Sequence, residues 1–74
     1  MIEFHVILNE VSKVKDFVNM TTNLENDADL VSGKYVIDAK SIMGIFSMNL
    51  SRPILFRYHG NEQDVAEIRA RFAA

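Results

Sequence analysis

The sequence has no cysteine and no tryptophan, one proline and three glycines. Without cysteine there is neither a disulfide nor a thiolate-bound metal to reinforce the fold, and the two histidines lack partners at metal-ligand spacing. Packing must carry the stability, and the composition fits a reducing cytoplasm. No apolar run approaches the roughly 20 residues that a membrane helix needs. The formal net charge is −2, with acids and bases intermixed, so no long-range field draws nucleic acid or anionic lipid. Met1 to Leu8 include Glu3 and His5, with no basic lead-in and no small-residue cleavage site after them, so a soluble cytoplasmic protein without a leader is expected. A glycine-rich phosphate loop is also missing, and no nucleophile has a histidine base at motif spacing, which argues against a hydrolytic enzyme.

What is present suffices for one domain, residues 1–74, with 49% apolar residues to share a single core. Residues 2–8 alternate, with Ile2, Phe4, Val6 and Leu8 on one side and Glu3, His5 and Ile7 on the other, the period of a half-buried strand. The period then lengthens: Val14, Phe17, Val18, Thr21 and Leu24 fall on one helical stripe, with Ser12 or Asn9 available as the cap. Leu30-Val31 and Lys34 to Ala39 flank Ser32-Gly33, which predicts a tight hairpin. Ser41 to Leu50 is apolar at Ile42, Met43, Ile45, Phe46, Met48 and Leu50, more than one helical face buries, so part of it is either packed on two sides or a binding surface.

Pro53 opens a further strand in which Ile54, Phe56 and Tyr58 alternate with Leu55, Arg57 and His59. Asn61 is the expected cap of a last helix, with Glu62 and Asp64 in its first turn, Arg69 and Arg71 in its last, and Val65, Ile68 and Phe72 on its buried stripe. The order β-α-β-β-α-β-α predicts an α+β open-faced sandwich: a four-stranded antiparallel sheet with all helices on one face and solvent on the other. Glu3 and His5 against Arg57 and His59 form the expected polar outer face.

The segment Asp38-Ala39-Lys40-Ser41-Ile42-Met43-Gly44-Ile45-Phe46-Ser47-Met48 resembles the regulatory serine region of the HPr family, the small phosphocarriers of the bacterial sugar phosphotransferase system. It is equally similar to that of the histidine-lacking catabolite-repression HPr. Asp27-Ala28-Asp29 and His59-Gly60-Asn61-Glu62-Gln63-Asp64-Val65 extend the likeness over about three quarters of the chain. The resemblance implies an HPr-like fold, a short helix opening at Lys-Ser-Ile-Met-Gly, and a serine, Ser41, that a dedicated HPr kinase phosphorylates. It also implies that Ile42, Met43 and Phe46 belong to a surface contacting protein partners, such as that kinase or a transcriptional regulator of carbon catabolite repression.

The likeness fails where family members carry phosphate. They place a histidine at the N-terminus of the first helix, followed by a residue, an arginine and a proline; ungapped counting puts Ser12, Val14 and Lys15 in those slots. A phosphoryl group on imidazole nitrogen is labile and passes on, whereas a serine ester holds it. Lys13 and Lys15 oppose the helix dipole and read as solvated surface. His5, mid-strand, and His59, at the end of a strand, read as half-exposed strand histidines. Ser41 is open between two roles: a helix cap alone, or a cap that is also a phosphorylation switch. The expected function is therefore non-enzymatic and regulatory, without a cofactor or a bound metal. A phosphotransfer component with an unusual histidine acceptor and a degenerate paralogue with neither site are the alternatives.

Overall fold

The computed structural model describes residues 1–74, in the order β1 (Ile2–Val6), α1 (Val11–Thr21), β2 (Ala28–Ser32), β3 (Tyr35–Asp38), α2 (Ile42–Phe46), β4 (Ile54–Tyr58), a 3-10 turn (Glu62–Val65) and α3 (Ala66–Phe72). The strands form one antiparallel sheet in the order β1-β4-β2-β3. The period-2 pattern decides which face is covered. Phe4 and Val6 of β1, Ala28 and Leu30 of β2, and Ile54, Phe56 and Tyr58 of β4 are buried beneath the helices. Their neighbours in sequence form the open face.

Aromatic contacts tie the layers together. Phe56 lies 5.2 Å from Phe4 within the sheet and 5.6 Å, edge-on, from Phe17 of α1. Phe17 in turn meets Phe72 of α3 edge-on at 5.5 Å, so one chain of rings joins sheet, first helix and last helix. Thr21 is the one buried polar residue; its hydroxyl donates to the Ala39 carbonyl at 2.8 Å and closes the end of α1 onto the chain after β3.

The hairpin turns at Gly33-Lys34, between Ser32 and Tyr35, and Gly33 takes φ +58. A positive φ at the first loop residue alone is the type II′ pattern, which glycine adopts without steric cost.

Three sequence expectations change in detail. Neither Ser12 nor Asn9 caps α1: Glu10 occupies the cap position with no side-chain bond, Ser12 is the second helical residue, and Asn9 Oδ1 accepts from Lys13 Nζ at 3.2 Å instead. Asn61 likewise stands at a helix start without using its side chain, and the last helix opens as a 3-10 turn. The first strand ends at Val6, although Leu8 stays fully buried. On the open face Glu3 stands opposite Arg57 and His5 opposite Leu55.

Candidate functional site

α1 and α2 pack side by side and run in opposite directions. The end of α1 lies beside the start of α2, where Thr21 reaches Ala39 and Lys40 Nζ donates to the Leu24 carbonyl at 2.8 Å. The start of α1 lies beside the end of α2, where Asn9, Glu10 and Val11 share a groove with Phe46, Leu50 and Ser51. Ser12 and Ser41 therefore sit at opposite ends of the helix pair.

The start of α2 is tightly specified. The Asp38 carboxylate accepts from the Lys40 amide at 2.9 Å and the Asp38 carbonyl from the Ser41 amide at 3.0 Å, which turns the chain out of β3. Ser41, in extended conformation, then accepts from the Gly44 amide on its Oγ at 3.1 Å. Gly44 is needed there for space: a Cβ would come within 2.7 Å of Ile37 Cγ2 and 3.1 Å of Ser41 Oγ. Ser41 is half-buried, with its hydroxyl at the helix mouth.

The apolar residues of α2 divide. Ile45 is fully buried, and Ile42 is partly buried against the core. Met43 is 79% exposed and Phe46 40% exposed, and across the groove Val11 is 59% exposed. Of the three candidate partner-binding residues, Met43 and Phe46 face solvent, while Ile42 mainly supports them. Val11 escaped the sequence reading because a valine at a helix start looks like core, and only the antiparallel packing of α1 on α2 places it beside Phe46.

Neither histidine reaches the start of α1. His5 projects from the sheet face that the helices leave open, beside Leu55. His59 lies at the opposite end of the sheet from α1's start, since β4 runs antiparallel to β1 with Tyr58 opposite Ile2. There its Nε2 lies 3.3 Å from Asp29 Oδ2, and Arg57 approaches the same carboxylate at 4.0 Å. Ser12, Lys13 and Lys15 occupy the first turns of α1; Lys13 is 3.8 Å from Glu10.

No protein-family model matches the chain, and no curated protein does. Among solved structures, the crystal structure of HPr-C-His from Thermoanaerobacter tengcongensis superposes with a TM-score of 0.79 over 95% of this chain and 89% of that one, at 22% identity. The fold is HPr-like. This HPr-like chain thus has the predicted four-stranded sheet with helices on one face, and none of its helices is long and apolar enough to cross a membrane. No group of histidines and carboxylates in it is arranged to hold a metal ion.

Proposed function

We propose that this HPr-like protein is a regulatory interaction module related to the sugar phosphotransferase system that does not relay phosphate through histidine. The carrying observation is the location of its imidazoles: both project away from the start of α1, where Ser12 stands instead. With no imidazole at that helix mouth, phosphoenolpyruvate-derived phosphate has no labile acceptor at the family position. The protein acts by binding rather than by catalysis, through Met43, Phe46 and Val11. A flexible thioether and an aromatic are side-chain types suited to adaptable protein surfaces.

Ser41 is the control point of this reading. Transfer of the γ-phosphoryl group from ATP to Oγ, with release of ADP and the hydroxyl proton, sets nearly two negative charges within two residues of Met43. A partner that buries this apolar patch then has to desolvate a dianion, or must supply a cation to meet it. The support is the Lys40-Ser41-Ile42-Met43-Gly44 match and the half-buried hydroxyl at the mouth of α2.

Incubation with purified HPr kinase and ATP, followed by intact-mass measurement, should show one phosphate on the wild type and none on Ser41→Ala. An unmodified wild type removes the switch. In parallel, enzyme I and phosphoenolpyruvate should leave the chain unlabelled; acid-labile phosphate on His5 or His59 overturns the non-relay reading.

A further inference from the structure

The two edges of the sheet are finished differently. β1's outer edge is closed by the C-terminal residues: Ile7 donates to the Phe72 carbonyl at 2.8 Å, Ala74 donates to the His5 carbonyl at 2.9 Å, and Ala73 bridges Val6. β3's outer edge carries no strand. Because the Ala39 amide donates to the Ala28 carbonyl, ladder alternation turns the backbone groups of Tyr35 and Ile37 inward to β2 and those of Val36 outward. Such edges are ordinarily blunted by shortness, by charged side chains, by proline or by a bulge. β3, four residues long, has only the first two, with Lys34 before it and Asp38 at its end, charges that a second copy can answer. β3 pairs with β2 without interruption from Tyr35 to Asp38, contains no proline, and leaves Tyr35 71% and Val36 55% exposed.

We infer that β3 pairs antiparallel with β3 of a second copy about a two-fold axis through Val36, continuing the sheet from one copy into the other. Charge selects this register. Lys34 and Asp38 lie symmetrically about Val36, so Lys34 falls opposite Asp38 of the second copy and Asp38 opposite its Lys34. Each lysine then arrives at the acidic pocket that Asp27, Asp29 and Asp38 line with His59. Centring the axis on Ile37 instead sets Lys34 against Lys40 of the copy.

Both faces of the junction gain. On the open face, Val31 and Val36 pair across the hairpin and Leu55 pairs with Val31, so their apolar row continues through the axis into the same row of the copy. On the helix face, Tyr35 comes opposite Ile37 of the copy. There it lies over the copy's groove of about 360 Å³, which the copy's own Tyr35, Ile37, Met48 and Asn49 line, so apolar surface meets apolar surface.

Sedimentation equilibrium of the full chain at neutral pH, from about 10 μM to about 1 mM, reads this directly. The expected result is a mass that rises from 8.4 kDa toward twice that value. Val36→Pro removes an outward N–H and the valine at the axis but no hydrogen bond to β2, and should weaken association tenfold or more while leaving the melt of dilute protein cooperative. Val36→Lys serves if the proline variant does not fold. Lys34→Asp and Asp38→Lys should each weaken self-association, and an equimolar mixture of the two should regain it, which only this register predicts. A wild type that stays at 8.4 kDa at the top concentration overturns the inference. So does a dimer that Val36→Pro or Val36→Lys and Lys34→Asp leave unchanged, since it would use another surface.

Discussion

α1 begins at Val11 behind Glu10, whose side chain caps none of the helix's amides, whereas α2 begins at Ile42 behind Ser41, whose Oγ holds the Gly44 amide at 3.1 Å. Length explains the contrast. Fixing the first turn of a helix is costly, and each further residue repays part of that cost. α1, with 11 residues, buries Val14, Phe17 and Thr21 and is held by that stripe wherever its first turn starts. α2, with five residues and Ile45 as its one buried anchor, depends on its cap and on the Asp38 turn before it. A long, packed helix thus tolerates a change of residue at its mouth. A short one does not, so the serine at the mouth of α2 is explained structurally whether or not it accepts phosphate. What the fold leaves unexplained is the exposure of Met43 and Phe46.

The largest expected effect tests the claim that burial, not capping, holds α1. Phe17 is fully buried between Phe56 and Phe72. Phe17→Ala should cost about 3–5 kcal/mol in urea unfolding, enough to unfold much of a domain this small. A loss under about 1 kcal/mol would mean that α1 is held from its ends after all.

The 3-10 turn before α3 is a third kind of helix start, held by a side chain from the sheet. Asp64 in its first turn accepts from the buried Tyr58 hydroxyl at 2.8 Å, and Asn26 donates to the same oxygen at 3.4 Å. Tyr58→Phe should cost about 1–2 kcal/mol. Burial first, and then the hydrogen bond to Asp64, push the Tyr58 phenol above its ordinary range. A folded-state pKa above the unfolded one favours the neutral phenol in the fold. Its contribution is complete below the unfolded value of about 10 and is lost as pH rises through the folded value. Wild-type stability should therefore fall above about pH 10 more steeply than that of Tyr58→Phe. Parallel slopes in alkaline urea titrations would contradict this.

Ser41→Ala should cost about 1 kcal/mol, the usual worth of a serine cap, against a few tenths for Ser12→Ala. Equal losses at the two serines would erase the contrast between the helix mouths. Amide exchange sharpens it further: protection of Gly44 should drop in Ser41→Ala, and protection in α1 should not change in Ser12→Ala.

Much of this was legible in the sequence because period and burial report the same physics. Ile54, Phe56 and Tyr58 alternate and are all buried; Val65, Ile68 and Phe72 lie at helical spacing and are buried too. Ser41 was legible as a cap because an oxygen-bearing residue precedes an apolar run. The start of α1 was not, since Asn9 and Ser12 both have suitable oxygens and nothing local shows that Asn9 serves Lys13 instead. The open face was half legible: alternation puts Glu3, His5, Leu55 and Arg57 on it, but only the register of β1 on β4 sets Glu3 opposite Arg57 and His5 opposite Leu55. The pairing of Val11 with Phe46 depends on the direction in which one helix crosses the other, which no local pattern encodes.

The smallest effect is also the most direct test of the vacant cap. Glu10 has the extended backbone of a cap residue, φ −140 and ψ 146, but its side chain is engaged only in an exposed ion pair with Lys13 at 3.8 Å. Replacing it by a residue of the right reach should add what α2 already has. Glu10→Asp keeps the negative charge near the positive end of the helix and brings a carboxylate oxygen toward the free amides of the first turn. The ion pair lost is worth little because both partners are solvated. Stability should therefore rise by about 0.5 kcal/mol, with the gain abolished in Glu10→Ala, where neither bond nor charge remains. If Glu10→Asp and Glu10→Ala prove equal in urea unfolding, the first turn of α1 needs no acceptor at all, and the difference between the two helix mouths reduces to length alone.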